Sequence, residues 1–404
     1  MATGGPADAE AAAAAEEERE RPAFLELFFD LVFIVALISL AEKLVGEMTW
    51  TGAVQTLTLL LAFTMIWALT AWAGSTFNPN HVSVQPQIVA AMAGSLVLAA
   101  AVPEAYADHG LLFAVTYVLI HLGSGAYNTV VHRRGPTPTQ SRRVLVWELA
   151  ASIGWIAGAM VGGTARVVLW AVAVGLEYLG TALGWPVRGL GSSRSRESRP
   201  SGRRISERYR QFVIIALGVA LFVVGRAFTE KTSYPLSHTW ALVIMFVIAV
   251  LMWRIYIYRA GEVMTVAIDR SNNPARLSQY TAVAHLIMVA GIIGTASASQ
   301  LVVEHPLEPT PSAWATAILG GPALFLIGRG FFDYVVFSRV SRSRVAGLVL
   351  LAAVAPAIGL LRPVTIALLV MVILFVIAAL NLLSTRVHRR DPAPPRMGGR
   401  TGPD

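Results

Sequence analysis

Long apolar runs separated by short polar breaks dominate the chain, and windows such as Val243–Leu251 and Val364–Leu380 carry no charge at all. A helix needs about 20 apolar residues to cross roughly 30 Å of hydrocarbon. Runs of that length between turn residues predict twelve membrane helices, over 24–45, 52–73, 86–102, 110–131, 144–162, 164–184, 209–230, 237–258, 278–302, 313–336, 344–361 and 363–385. The fifth–sixth and eleventh–twelfth connections are so short that either pair also reads as a re-entrant or strongly tilted segment. The tract Arg259–Arg276 mixes charges with an apolar stripe and reads as an interfacial helix or an extension of span eight. The fold class is all-α, a polytopic bundle laid out six plus six.

The six-plus-six division comes from the loop Gly184–Arg208, rich in Ser, Arg, Gly and Pro. A first half over 23–185 and a second over 208–386 flank a basic, flexible linker at 186–207. Residues 1–22 and 387–404 read as disordered cytosolic tails. The acidic stretch after Ala11–Ala15 has none of the parts of a signal peptide. Pro22 opens the first span, where its missing N–H costs nothing. Of the 32 basic residues, 26 fall on the side shared by the two termini and the even-numbered loops. Excess Lys and Arg mark the cytoplasmic side, so both termini are expected inside a bacterial cell membrane.

Composition narrows the chemistry. Charged residues make up 14% of the chain, against about 25% in soluble domains. The chain has no cysteine, which excludes disulfides, thiolate metal sites and cysteine nucleophiles. The net charge of +8 does not imply nucleic acid, because Ser192–Arg204 contains no aromatic residue for stacking. Anionic headgroups of the lipid bilayer are its expected neighbours. There is no His-x-x-x-His, Asp-rich cluster, Walker loop, helix-opening G-x-G-x-x-G or G-x-S-x-G elbow. No metal or other cofactor is expected, and ATP-driven pumping and hydrolase chemistry are disfavoured. Gly154-x-x-x-Gly158 and Gly158-x-x-x-Gly162 suit close helix packing.

The candidate chemistry sits in Pro22–Phe33. Glu26 and Asp30 are four apart and share one helix face, which Phe33 and Leu37 continue. Two carboxylates in hydrocarbon require a cation from another helix or a proton. Arg226 and Glu230, and Arg329 and Asp333, can each neutralise within their own helix, whereas Asp30 has no local partner. At similar depth lie Arg329, Arg254 and His285, the expected cross-helix partners. Asp30 and Glu26 are therefore the candidate reactive carboxyls, with Phe29, Phe33, His285, Arg329 and Arg254 as candidate substrate contacts. His121 reads as a packed side chain, and Glu177 has no assigned role.

Glu26-Leu27-Phe28-Phe29-Asp30-Leu31-Val32-Phe33 also resembles the hallmark of the bacterial low temperature requirement A family of multi-pass membrane proteins. The resemblance continues through Trp67–Asn80, Ala101–Tyr106, Glu207-Arg208, Phe212–Gly218, His285, Met288–Gly291 and Leu319–Gly321. It implies the architecture rather than an activity. Several polar positions of the family pattern are replaced, by His81–Pro86, Val219, Arg204 and Ile38-Ser39, while Glu26 and Asp30 persist.

Three function classes fit. A secondary transporter or permease with a buried carboxylate relay suits six plus six spans without a nucleotide motif. A membrane-embedded enzyme would use Asp30 or Glu26 as a general acid toward a lipid or isoprenoid, as a cyclase or isomerase. A non-catalytic, stress-related membrane protein needs neither. The substrate, small or apolar, is not named by the sequence.

Overall fold

The computed structural model describes residues 24–77, 82–131, 138–192, 202–229, 235–257, 264, 266–268, 271 and 274–387. Backbone in hydrocarbon must satisfy its own hydrogen bonds, and the apolar runs accordingly close into helices. In chain order these are α1 (Phe24–Gly46), α2 (Trp50–Phe77), α3 (Gln85–Ala101), α4 (Gly110–Val131), α5 (Pro138–Val161), α6 (Gly163–Leu183), α7 (Gly202–Thr229), α8 (Leu236–Ile257), α9 (Pro274–Glu304), α10 (Ser312–Phe337), α11 (Arg342–Val354) and α12 (Pro363–Val387). All twelve expected spans are present by length and composition, the eleventh only when a following 3₁₀ turn is included. The described residues contain no strand, only one isolated bridge between Val187 and Gly191.

The two doubtful connections resolve differently. Between α5 and α6 the chain reverses at Gly162 and Gly163, both with positive φ, and both helices are long enough to span. Here only glycine takes the left-handed backbone without strain. In contrast, α11 stops after 13 residues and passes into the 3₁₀ turn Ala355–Leu360. Pro356 has no N–H to continue the α-helical ladder.

The seventh helix starts earlier than the apolar run expected from 209. α7 begins at Gly202, and Ser206 and Arg208 on its first turns are already buried. Apolar windows miss this start because the first turns carry Arg203, Arg204 and Glu207 in sequence. The rest of the linker before it is described only to Ser192; Arg143 there donates to the Leu190 carbonyl. Residues 193–201 and both expected tails apart from Val387 lie outside the described residues. In the tract 259–276, Met264, Ala267 and Ile268 are buried against Leu277, Ala284 and Phe332, so its apolar stripe packs on α9 and α10.

Small residues set the tightest packing. A Cβ added to Gly291 would lie 2.4 Å from the backbone nitrogen of Phe325, and one added to Gly321 would lie 2.5 Å from that of Thr295. The α9 and α10 backbones therefore touch, as in other membrane helix pairs built on glycine. Gly154 and Gly158 serve α5 and α6 in the same way, with Ala173 and Trp170 filling the space. α9 is the most enclosed of the spans. α1 packs on α2 and α3 and also on α7 and α9. Phe29, Phe33, Leu37 and Leu40 point inward from it, while Phe28, Leu31 and Val35 face the lipid side.

Candidate functional site

Asp30 of α1 is buried between α2 and α7, and both of its carboxylate oxygens are engaged. Arg208 of α7 donates from its two terminal nitrogens to Oδ2 at 3.0 Å and to Oδ1 at 3.2 Å. Trp67 of α2 donates its indole N–H to Oδ1 at 3.0 Å. Arg208 also reaches the Glu26 carbonyl at 3.4 Å, so the first turns of α1 and α7 are tied twice. The cation that the sequence requires is thus supplied across helices. Its two-nitrogen geometry is the strong form of a carboxylate–guanidinium pair.

Aromatic rings enclose the pair. The Arg208 guanidinium lies 5.2 Å from the Trp67 ring, and Trp67 stacks on Phe212 at 4.7 Å and tilts against Tyr209 at 5.5 Å. Phe33 contacts Phe29, Phe63 and Phe212 with centroids 5.1 to 6.3 Å apart. Phe29 and Phe33 therefore belong to the ring shell around Asp30, and Glu26 is buried one turn away.

The three expected partners go elsewhere. Arg329 pairs with Asp333 on its own helix, α10, and its Nε donates to the Ile255 carbonyl at 3.4 Å. Arg344 of α11 lies 3.6 Å from the other oxygen of Asp333 and donates to Asn381 at 2.8 Å. His285 Nδ1 donates to the Thr281 carbonyl at 2.6 Å, which leaves Nε2 to accept from the Tyr256 hydroxyl at 3.2 Å. Arg254 is half-buried on α8 and is not among the partners of Asp30. Depth alone misled the expectation, because helices at equal depth can face different ways. Arg208 was legible only through the Glu207-Arg208 pair in the family resemblance.

A second ion pair joins the same two helices. Arg226 of α7 pairs with Glu42 of α1; Glu230, its expected partner, lies outside the described residues. Asp30 and Glu42 are twelve residues apart, about 18 Å along α1. The α1–α7 seam therefore carries an ion pair toward each end. The Asp30–Arg208 pair is buried, whereas Arg226 and Glu42 are 38% and 32% exposed.

Residues 21–379 match the family described as bacterial low temperature requirement A protein. The chain belongs to this family. An uncharacterized protein of Rhizobium meliloti (strain 1021) is 31% identical over 379 residues, which cover 93% of this chain and 92% of that one. No solved structure matches. Membership establishes a multi-pass membrane protein of the family. Within the matched residues, the Glu26–Asp30 segment supplies one side of the seam and Arg208 the cation opposite.

Proposed function

We propose that this family member is a secondary transporter of the bacterial cell membrane, with both termini cytoplasmic and the α1–α7 seam as its moving contact. The observation that carries the reading is the ion pair at each end of that seam, one buried and one half-exposed. Transporters hold substrate and coupling sites between two halves that rock against each other. Pairs of this kind can break and reform alternately, closing one end while the other admits water. A buried ion pair is also a poor way to gain stability, since apolar residues of similar volume often do as well or better. The positive-inside distribution of Arg supports the orientation.

A second reading, a membrane-embedded enzyme acting on a lipid or isoprenoid by protonation, is favoured by the ring shell around Asp30. Two things weigh against it. The rings pack on one another, and both carboxylate oxygens already accept hydrogen bonds. A general acid needs a proton and access to its substrate.

The absence of cysteine makes a direct test available. Spin labels on cysteines introduced at Gly46 and Thr229, exposed at the ends of α1 and α7, report the seam by double electron–electron resonance in nanodiscs. The transporter reading expects two distance populations, with Glu42→Gln shifting weight to the longer. One narrow population, unmoved by Glu42→Gln, is the result expected of a static enzyme or brace and contradicts the transporter reading.

A further inference from the structure

The first half holds a second set of buried ionisable side chains, separate from the Asp30–Arg208 pair. Glu177 of α6 accepts from the Tyr117 hydroxyl at 2.6 Å and from the Trp155 indole at 3.1 Å. One turn beyond Tyr117 on α4, His121 packs on the Tyr117 ring with centroids 4.2 Å apart. Its Nδ1 lies 3.5 Å from Glu148 Oε1 of α5, at ion-pair distance but without hydrogen-bond geometry. Tyr117, His121, Glu148 and Glu177 are each no more than 3% exposed.

Charge counting is decisive here. Two carboxyl groups and one imidazole share an apolar interior, and among the described residues no Lys or Arg pairs with any of them. The groups that face them are Tyr117 and His121 from α4, Glu148 from α5, and Glu177 and Tyr178 from α6. Tyr178 donates to the Leu61 carbonyl, and α2 and α3 offer only neutral side chains such as Thr70 and Gln87. An imidazolium offsets one carboxylate. The second must be neutralised by another proton or a bound cation, because an unpaired carboxylate in hydrocarbon is too costly.

A polar cavity of about 30 Å³ lies against the His121–Glu148 pair. One water needs about 10–15 Å³ on this measure, so the cavity is sized for about two. Gln87 Oε1, Asn128 Oδ1, Glu148 Oε2 and both His121 nitrogens have no hydrogen-bond partner in the protein. All four residues line the cavity and are more than nine-tenths buried. Gly125 makes the room, since a Cβ there would lie 2.6 Å from Glu148 Oε2. Asn128 and Ser141 put one end of the cavity near the α4–α5 connection, and His121 is seven residues, about 10 Å, deeper.

We propose that His121, Glu148, Glu177 and Tyr117 form a proton-binding site in the first half, reached through this cavity. A hydronium ion in the cavity gives its proton to His121 or to Glu148 Oε2 and leaves as water; no electrons move and no other bond breaks. The proton is held between imidazole and carboxyl, while Tyr117 and Trp155 fix Glu177 beneath it. A proton fits better than a metal cation. Hard cations ask for six or more oxygen ligands, and no group of three or more His, Asp and Glu suited to a metal occurs among the described residues.

The test reads proton binding and not transport, so it stands apart from the reading above. Wild-type protein in nanodiscs is taken through a pH jump with a soluble indicator dye, and protons bound are counted in sodium-free and sodium-containing buffer. Infrared difference spectra follow the protonated-carboxyl stretch in parallel. Wild type is expected to bind about one proton more than Glu148→Gln, with a carboxyl band that the variant lacks and with no effect of sodium. Identical titration of the two proteins overturns the proposal, and so does displacement of the protons by sodium, which would make the site a cation site. Asn128→Leu keeps every ionisable group and narrows the cavity, so it is expected to slow uptake at least about tenfold. Uptake as fast as wild type contradicts the cavity route even if Glu148→Gln proves too unstable to titrate.

Discussion

Arg208→Leu is expected to destabilise the protein by about 3–5 kcal/mol, because it leaves the Asp30 carboxylate buried without its cation. Asp30→Leu should cost a similar amount for the opposite reason. The double variant Asp30→Leu/Arg208→Leu should be far less damaged than either single one, since two apolar side chains then meet inside an aromatic shell. The coupling shows in a double-mutant cycle of unfolding midpoints in detergent. Additive losses would mean that the two side chains do not share one interaction. The pairing also changes how Asp30→Asn must be judged. That substitution strands Arg208, so lost activity alone would not separate chemistry from folding. The neutral pair Asp30→Asn/Arg208→Gln is the cleaner probe.

The second large effect is expected at Asp333, which lies between Arg329 and Arg344, each 1% exposed. Asp333→Leu removes a buried carboxylate that two buried guanidinium groups share. We expect it to cost more than loss of either arginine, at least about 3–5 kcal/mol, and to prevent recovery of folded protein. Arg329→Met should be milder, because Arg344 still neutralises the carboxylate, and adding it to Asp333→Leu should restore part of the folded yield. Monodispersity on size exclusion checks the order. Equal yields of Asp333→Leu and wild type would contradict the network.

The spans were legible because hydrocarbon imposes one length and one type of composition on each of them. The helix starts that the pattern missed, such as Gly202 on α7, are polar turns at the membrane edge, where hydropathy says little. Acidic residues in apolar runs singled out Glu26 and Asp30, and both side chains are buried. Partners were harder, because sequence gives depth along a helix but not the direction a face takes in the bundle. Arg208 sits near the end of the basic linker and looked like part of it. The pairing of Arg226 across the bundle with Glu42 carried no signal in the sequence, where Glu230 stands four residues on. Glu148 drew no notice in a run that begins with Arg142 and Arg143, although a carboxyl ten residues into a span is a signal of the same kind as Asp30. His121 and Glu177 looked unremarkable singly, and only the approach of α4, α5 and α6 joins them.

The account rests on the α1–α7 seam opening at alternate ends, and thiol labelling in the cysteine-free chain tests this most directly. Ser297→Cys is nearly isosteric and replaces a fully buried hydroxyl of α9, the helix that lies along the seam by packing on both α1 and α7, where it donates to the Ala41 carbonyl of α1. Phe33→Cys probes the same helix beside Asp30, about 12 Å away along α1. Phe113→Cys, equally buried but within the first half alone, controls for the cavity left by a lost ring. Membrane-impermeant maleimide is applied from either side of sealed vesicles. We expect Ser297→Cys to label from one side, Phe33→Cys from the other, and Phe113→Cys from neither. Protection of both seam cysteines from both sides would contradict an opening seam and leave Asp30 and Arg208 as a fixed brace.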